Sequence, residues 1–276
     1  MIDACDTCGM TTLLLVRHGL TDLTGPVLAG RTPGVHLSEA GRAQATALAG
    51  RVAGVRLDAI VSSPLERCRE TAQAVAEGRE LEVITDERFI ECGYGDWTGR
   101  PLKELAKEPL WPVVQAHPSA VTFPGGESLA EMQHRAVAAV REWNRRLGEK
   151  AVYLVCSHGD VIKAIVADAL GLHLDHFQRI TADPAALTVI RYAPLRPFVH
   201  RINDMGGIEA FRGFGGERRG RKTSPGAMPP SAADPEPRKV RLCRSSTTTH
   251  RRGSSPVPWG GRARGSSSCR PGPRAD

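Results

Sequence analysis

Two apolar segments of this chain end in the same way, and they constrain its fold more than any other feature. Residues 13–19 read LLLVRHG, and residues 152–159 read VYLVCSHG. Short apolar runs of this kind are typical of buried β-strands, and ligands of α/β proteins bind where such strands end. The sequence therefore predicts one site built from two strand ends that lie about 140 residues apart.

Strand-like and helix-like segments alternate along the first two hundred residues. Strands are predicted at residues 12–17, 57–61, 81–84, 151–156 and 187–192. Helices are predicted at residues 39–52, 129–147 and 160–170, and a further helix is predicted with Pro64 in its first turn. Ser38 is predicted to cap the first helix, and Ser128 with Glu131 forms a predicted capping box. This alternation predicts an α/β fold, a single three-layer domain with a largely parallel central sheet flanked by helices.

Charge divides the chain near its two-hundredth residue. Residues 1–200 hold 21 Lys and Arg against 24 Asp and Glu, whereas residues 201–276 hold 16 against 6. The basic balance of the chain therefore belongs to its C-terminal part. It gives no reason to expect specific nucleic-acid binding by the folded part.

The same division predicts the domain organisation. Gly, Pro, Ser and Arg dominate beyond Met205, and such segments bury too little apolar surface to fold. We expect a folded domain over residues 11–204, a disordered extension at 1–10 and a disordered basic tail at 205–276. The tail is interpreted as a solvated extension. Two alternatives are that it contacts nucleic acid or anionic lipid, and that it is a non-native C-terminus. Met10 is an alternative start, because the first strand follows it directly.

The seven cysteines are odd in number and scattered, which suits reduced thiols in a cytoplasmic protein. Cys5 and Cys8 have the spacing of a metal or redox pair, but no second pair stands where a zinc site needs one. We therefore expect neither a metal site nor a cofactor. No stretch approaches the roughly 18 apolar residues of a membrane span, and no signal-peptide pattern opens the chain. The expected location is the cytoplasm, without membrane contact.

Four dispersed motifs resemble those of one known family. They are Arg17-His18-Gly19, the run from Ser62 to Ala72, the segment Glu91-x-x-Tyr94-Gly95-x-Trp97-x-Gly99, and Ser157-His158-Gly159. In this order and spacing they resemble the histidine phosphatase superfamily, in its phosphoglycerate mutase-like branch. The resemblance covers about residues 11–200. It implies a phosphoglycerate mutase-like fold and makes residues 11–204 a catalytic domain.

The resemblance assigns roles to five residues. His18 would be the nucleophile that becomes phosphohistidine, with a backbone carbonyl fixing the tautomer of its ring. Arg17 and Arg67 would hold the phosphoryl oxygens, and His158 would donate to one of them, most usefully when protonated. Glu91 would be the general acid, with a pKa raised by burial.

The residues themselves leave alternatives open at three of these positions. Arg69 lies near Arg67 on the same predicted helix and competes with it as the phosphate ligand. Glu87 competes with Glu91 as the acid, although the spacing to the Tyr-Gly-x-Trp motif favours Glu91. His158 could instead cap the helix that follows it.

Three further residues are predicted to contact the substrate. Thr21, where the family has Ser or Thr, could donate to the phosphate or position its loop. Arg31 could reach the distal part of the substrate. Gly159 lies at a predicted helix start, where backbone N–H groups favour an anion.

The predicted activity is metal-independent hydrolysis of small phosphorylated metabolites with an acidic pH optimum. A phosphoglycerate mutase is the first alternative. Against it, residues 20–23 read LTDL where mutases typically have Glu-Ser-x-Trp-Asn, and the interval from Glu91 to His158 is short. A catalytically silent phospho-ligand binder is the second alternative. Related enzymes are often dimers or tetramers, and the sequence fixes neither the oligomeric state nor the substrate.

Overall fold

The computed structural model describes residues 9–206. The predicted extension at 1–10, apart from its last two residues, and the predicted tail from residue 207 onward lie outside the described residues, as do Cys5 and Cys8. Within the described range, helices that combine the length and the apolar character needed to cross a bilayer are absent.

Six strands and six α-helices make up this part of the chain. The strands are β1 (Thr11–Arg17), β2 (Ala59–Ser62), β3 (Val83–Thr85), β4 (Val152–Ser157), β5 (Leu187–Tyr192) and β6 (Pro197–Asp204). The helices are α1 (Glu39–Val52), α2 (Glu66–Ala76), α3 (Leu102–Leu105), α4 (Trp111–Ala116), α5 (Leu129–Leu147) and α6 (Gly159–Ala169). Short 3₁₀ turns connect several of them.

One six-stranded sheet in the order β3-β2-β4-β1-β5-β6 forms the middle layer. The pairs β3–β2, β2–β4 and β4–β1 are parallel, whereas β5 runs antiparallel to both β1 and β6. The predicted α/β architecture is confirmed, and the sheet is mixed rather than parallel throughout. Strand β6 is not among the strands predicted from the sequence, because its partly and fully exposed residues lack the apolar pattern of a buried strand.

Alternate residues of β1 face the two helical layers. Leu13 and Leu15 belong to the apolar core that includes α5 and α6, while Leu14 and Val16 belong to the core that includes α1 and α2. Because successive side chains of a strand point to opposite faces, a strand buried on both faces reads as continuously apolar. This explains the LLLV run that marked the strand in the sequence.

Helix starts follow the predicted capping chemistry, with one correction. The Ser38 side chain accepts a hydrogen bond from Gly41 N, and the Ser128–Glu131 capping box is formed. The predicted position of Pro64 in the first turn of a helix is wrong, because α2 begins at Glu66 with Leu65 at the N-cap. Pro64 lies in the connection before it.

Candidate active site

The two strand ends singled out in the sequence meet in the centre of the sheet. Strands β1 and β4 are parallel neighbours, and their register pairs Arg17 with Ser157. His18 N donates to Ser157 O at 3.0 Å, so the chain leaves both strands at the same level. The His18 and His158 rings consequently lie edge to face, with centroids 5.3 Å apart.

A backbone carbonyl orients the His18 ring. Nδ1 lies 2.8 Å from the carbonyl oxygen of Gly19, and Arg67 Nε donates toward Nε2 at 3.3 Å. A ring nitrogen that faces a carbonyl must carry the proton, so Nε2 keeps its lone pair. Burial, followed by the charges of Arg67 and Arg17, lowers the pKa of His18 well below its ordinary value. The ring is therefore neutral, with Nε2 as its basic atom.

Glycine is required where the loop after β1 turns away from His18. A Cβ on Gly19 would lie 2.6 Å from Gly41 O, and a Cβ on Gly41 would lie 2.0 Å from Leu20 O. These separations are too short for any side chain, so the loop and the start of α1 are in backbone-to-backbone contact. This contact holds the loop that lines one side of the site.

The two arginines present unpaired N–H groups beside His18. Arg67, only 2% exposed, donates from Nη2 to Gly30 O at 2.7 Å, and Arg17 donates from Nη1 to Ala182 O at 2.7 Å. Arg17 Nε and Arg67 Nη1 are buried and have no hydrogen-bond partner among the described residues. Because an unpaired buried donor is costly, this arrangement favours an anionic ligand.

Protein partners surround both ring nitrogens of His158. Arg67 Nη2 lies 3.3 Å from Nδ1, and Ser63 Oγ lies 2.7 Å from Nε2. Burial, followed by the charges of His18 and Arg67, lowers the pKa of His158 well below its ordinary value. Without ligand the ring is therefore neutral, whereas the sequence argument favoured a charged one. A phosphoryl dianion nearby would shift this pKa upward.

The carboxyl group of Glu91 faces the same site. Burial, followed by the nearby charge of Asp160, raises the pKa of Glu91 to about 7. Asp160 accepts hydrogen bonds from Tyr94 Oη at 2.8 Å and from Lys163 Nζ at 3.1 Å, which keep it ionised. These contacts, with the Lys163 charge, outweigh its burial and lower its pKa. A carboxyl group poised in this way is suited to donating and accepting a proton near neutral pH.

Of the competing residues, Arg69 and Glu87 are exposed and do not line the site. The structure brings Arg17, His18, Arg67 and Glu91 together around a cleft of about 620 Å³. The cleft also has apolar walls away from His18, formed by Leu20, Leu23, Leu28, Leu102 and Ile180. It is large enough for a phosphoryl group together with a small organic moiety.

The three predicted substrate contacts have different outcomes. Thr21 lines the cleft, but its hydroxyl pairs with that of Thr24 at 2.9 Å. Gly159 is the first residue of α6 and also lines the cleft, close to the Arg17 guanidinium. Arg31 does not reach the cleft, because its side chain turns to the Glu91 carbonyl and to Glu127. The structure thus differs from the expectation that Arg31 contacts the distal part of the substrate.

Comparison with known proteins identifies the family. The family model of the histidine phosphatase superfamily (branch 1) matches residues 13–205, a range that includes both strand ends and Glu91. The chain belongs to this superfamily. It is therefore an enzyme of the phosphatase type, a phosphoric monoester hydrolase.

Two relatives of this phosphatase are named for different substrates, and a third shares the fold. Phosphoserine phosphatase 1 of Hydrogenobacter thermophilus is 36% identical over 200 residues, covering 70% of this chain and 92% of the relative. The YhfR structure of Bacillus stearothermophilus has a TM-score of 0.66 at 31% identity, covering 70% of this chain and 97% of the other. A mycobacterial glucosyl-3-phosphoglycerate phosphatase has a TM-score of 0.63 at 27% identity, covering 71% and 99%.

Sequence reasoning missed several polar residues around the site of the phosphatase. Ser63 lies inside one of the four motifs and Asp160 directly follows another. A serine before a proline is ordinarily interpreted as part of a turn, and an acidic residue in a first helical turn as a partner of the helix dipole. Arg135 lies in the middle of α5, where arginine is ordinarily solvated. No local signal distinguishes it, because its partners come from distant parts of the chain.

Proposed function

We propose that this phosphatase hydrolyses small phosphorylated metabolites through a phosphohistidine on His18, and that residues 11–204 carry the activity. The observation that carries the proposal is the neutral His18 ring between two cationic side chains. Its Nε2 keeps a lone pair, and Arg17 Nε and Arg67 Nη1 lie buried without a partner among the described residues. A phosphoryl group would supply the missing acceptors.

In the first step, Nε2 of His18 attacks phosphorus and the bond from phosphorus to the ester oxygen breaks. Glu91, protonated below about pH 7, gives its proton to the departing oxygen. Arg17 and Arg67 neutralise the equatorial oxygens as the charge redistributes. Nδ1 keeps its proton and donates it to the Gly19 carbonyl oxygen, and this hydrogen bond stabilises the charge on the phosphorylated ring.

In the second step, the Glu91 carboxylate takes a proton from water, and the resulting hydroxide attacks phosphorus. The P–N bond breaks, inorganic phosphate leaves, and Nε2 regains its lone pair. Glu91 is protonated again and ready for the next substrate. One carboxyl group with a pKa of about 7 serves both steps, because it exchanges its proton easily near neutrality.

For the substrate we propose small phosphorylated organic acids, with phosphoserine first. Support comes from the relatives, one named a phosphoserine phosphatase and one a glucosyl-3-phosphoglycerate phosphatase. The cleft adds support, since its roughly 620 Å³ accommodate a moiety beyond the phosphoryl group. A panel of phosphoserine, phosphoglycerates, sugar phosphates and nucleotides would rank these classes by kcat/KM.

The testing experiment measures hydrolysis of an aryl phosphate from pH 4 to 9, with and without EDTA. Wild type is compared with His18→Ala and with His134→Ala, an exposed histidine on α5 that serves as control. We expect activity to vanish only in His18→Ala, to survive EDTA and to fall above about pH 7. A phosphohistidine trapped in the wild type by rapid quenching would support the covalent step.

The other outcomes separate the alternatives. Phosphohistidine that is passed to a second substrate rather than to water would indicate a mutase. Binding of phosphorylated ligands without phosphohistidine would indicate a silent binder. Full activity in His18→Ala would overturn the proposal.

A further inference from the structure

Two arginines from distant parts of the chain hold the backbone of Glu91. Arg31 Nε donates to the Glu91 carbonyl oxygen at 2.8 Å, and Arg135 Nη2 donates to the same oxygen at 3.1 Å. Arg31 belongs to the loop after β1, and Arg135 lies within α5. Arg135 Nη1 also donates to Arg88 O at 2.6 Å, three residues before Glu91. Three separate segments therefore converge on this short stretch.

One carboxylate, that of Glu127, holds both arginines in place. Glu127 Oε2 accepts from Arg31 Nη2 at 2.8 Å and from Arg135 Nη2 at 3.0 Å, while Oε1 accepts from Arg135 Nε at 2.6 Å. Oε2 also accepts from Gly93 N at 3.0 Å. The Glu127 side chain is 15% exposed, so solvent screens these charge-assisted bonds only in part.

The backbone around this network is tightly docked. Glu127 N donates to Gly93 O at 2.7 Å, and Asp96 N donates to Pro124 O at 2.8 Å. A Cβ on Gly126 would lie 2.2 Å from Gly93 O, so only glycine permits this approach. The segment that carries Glu91 is thus fixed against residues 124–127 on one side.

The Glu91 side chain itself has little that fixes it. Its Oε1 accepts one hydrogen bond, from Cys92 N at 2.9 Å. The location of the carboxyl group is therefore set by its backbone, and the backbone carbonyl is set by the two guanidinium groups. Without a carboxylate at 127, these two cations would face each other uncompensated and would separate.

We propose that Glu127, acting through Arg31 and Arg135, is a positioning residue for the proton donor Glu91. This inference rests on the proposed function, in which Glu91 protonates the leaving oxygen. Glu127 does not line the catalytic cleft, so its effect is indirect. Misplacement of a reacting group by about 1 Å can cost about 100-fold in rate.

A mispositioned proton donor has a signature that a general loss of structure lacks. Alkyl phosphates need the donor, because their leaving oxygens are strongly basic. An activated ester such as 2,4-dinitrophenyl phosphate needs it little, because its leaving group departs as a stable anion. Loss of the donor should therefore lower kcat/KM for the alkyl ester and spare kcat/KM for the activated ester, because kcat/KM reports the phosphoryl transfer to His18 and not the later step in which Glu91 activates water.

The experiment measures kcat and KM for both esters in Glu127→Gln, Glu91→Gln and Glu131→Gln. Glutamine at 127 keeps the shape and removes the charge. Glu131, an exposed carboxylate in the first turn of α5, is the matched control, since glutamine also serves in its capping box. We expect Glu127→Gln to lose on the order of 10- to 100-fold in kcat/KM for the alkyl ester, with kcat/KM for the activated ester little changed.

Two results would overturn the inference. Equal losses for both esters in Glu127→Gln would indicate general damage, and wild-type kinetics would show that Glu127 is dispensable. If Glu91→Gln itself does not distinguish the two esters, the proposed role of Glu91 fails and the inference fails with it. If Glu127→Gln does not fold, Arg31→Met replaces it. The Arg31 side chain is 39% exposed, and this substitution removes one of the two donors to the Glu91 carbonyl. The same comparison of esters then decides.

Discussion

Nε of Arg67 lies 3.3 Å from Nε2 of His18, the one nitrogen of that ring that is free of the backbone. The contact is at the weak end of hydrogen-bond lengths, and a phosphoryl group would replace it with a charge-assisted bond to oxygen. The same guanidinium donates to Gly30 O and approaches His158. Arg67 is thereby fixed between the two histidines before substrate arrives.

Replacing Arg67 should therefore impair catalysis more than it impairs folding. We expect Arg67→Lys to lose about 10²- to 10³-fold in kcat/KM, because an ammonium group cannot reproduce the fork that contacts Gly30 and faces the ligand. Arg69→Lys, an exposed position on the same helix, is the control and should keep wild-type kinetics. Similar losses in both variants would show that the helix, rather than the guanidinium at 67, matters.

The charge of Asp160 should set the pH dependence of the enzyme. Asp160 raises the pKa of Glu91, so removing its charge in Asp160→Asn lowers that pKa. Glu91 then loses its proton at lower pH, and the descending limb of the kcat profile moves to lower pH. Asp22→Asn, an exposed carboxylate in the loop after β1, should leave the limb in place. A limb that does not move in Asp160→Asn would contradict this account.

Ser63 should support His158 and, through it, Arg67. Ser63→Ala removes the 2.7 Å partner of His158 Nε2 and leaves a buried polar group unsatisfied, which costs about 1–3 kcal/mol in the free energy of unfolding. If Ser63→Ala also weakens transition-state stabilisation, kcat/KM should fall about tenfold for each 1.4 kcal/mol that is lost. Ser62→Ala is the control, because Ser62 Oγ is buried but donates only to the Ser63 carbonyl. Denaturant unfolding and kinetics together separate the two effects.

Two glycines of α1 should respond oppositely to alanine. At Gly41 a Cβ would lie 2.0 Å from Leu20 O, so Gly41→Ala must displace the loop beside His18 and should cost about 1–3 kcal/mol of stability and lower activity. At Gly50 a Cβ meets no atom within 4 Å, so Gly50→Ala should add about 0.5–1 kcal/mol without affecting activity. Thermal unfolding and kcat/KM check both. A stable, fully active Gly41→Ala would contradict the described contact.

Local chemistry made several elements predictable. The LLLV and VYLVC runs identify the two central strands because both of their faces are buried. Serine caps fixed the starts of α1 and α5 because a side-chain oxygen satisfies orphan N–H groups there. The antiparallel β6 escaped detection, because an edge strand is held by hydrogen bonds to β5 rather than by an apolar pattern.

The amino-acid sequence alone determined which candidate groups stand at the site of this phosphatase, because residue type and order place His18, Arg17 and His158 at strand ends and Arg67 at a helix start. Only the tertiary structure decided what each group contacts there. The β1–β4 register brings the two histidines to 5.3 Å, and burial sets their neutral state. Arg31 was expected to contact the substrate, but its side chain contacts the Glu91 backbone and Glu127 instead. These two partners lie 60 and 96 residues away from Arg31 in the chain. Contacts over such separations depend on how the segments pack, and local sequence does not encode that packing.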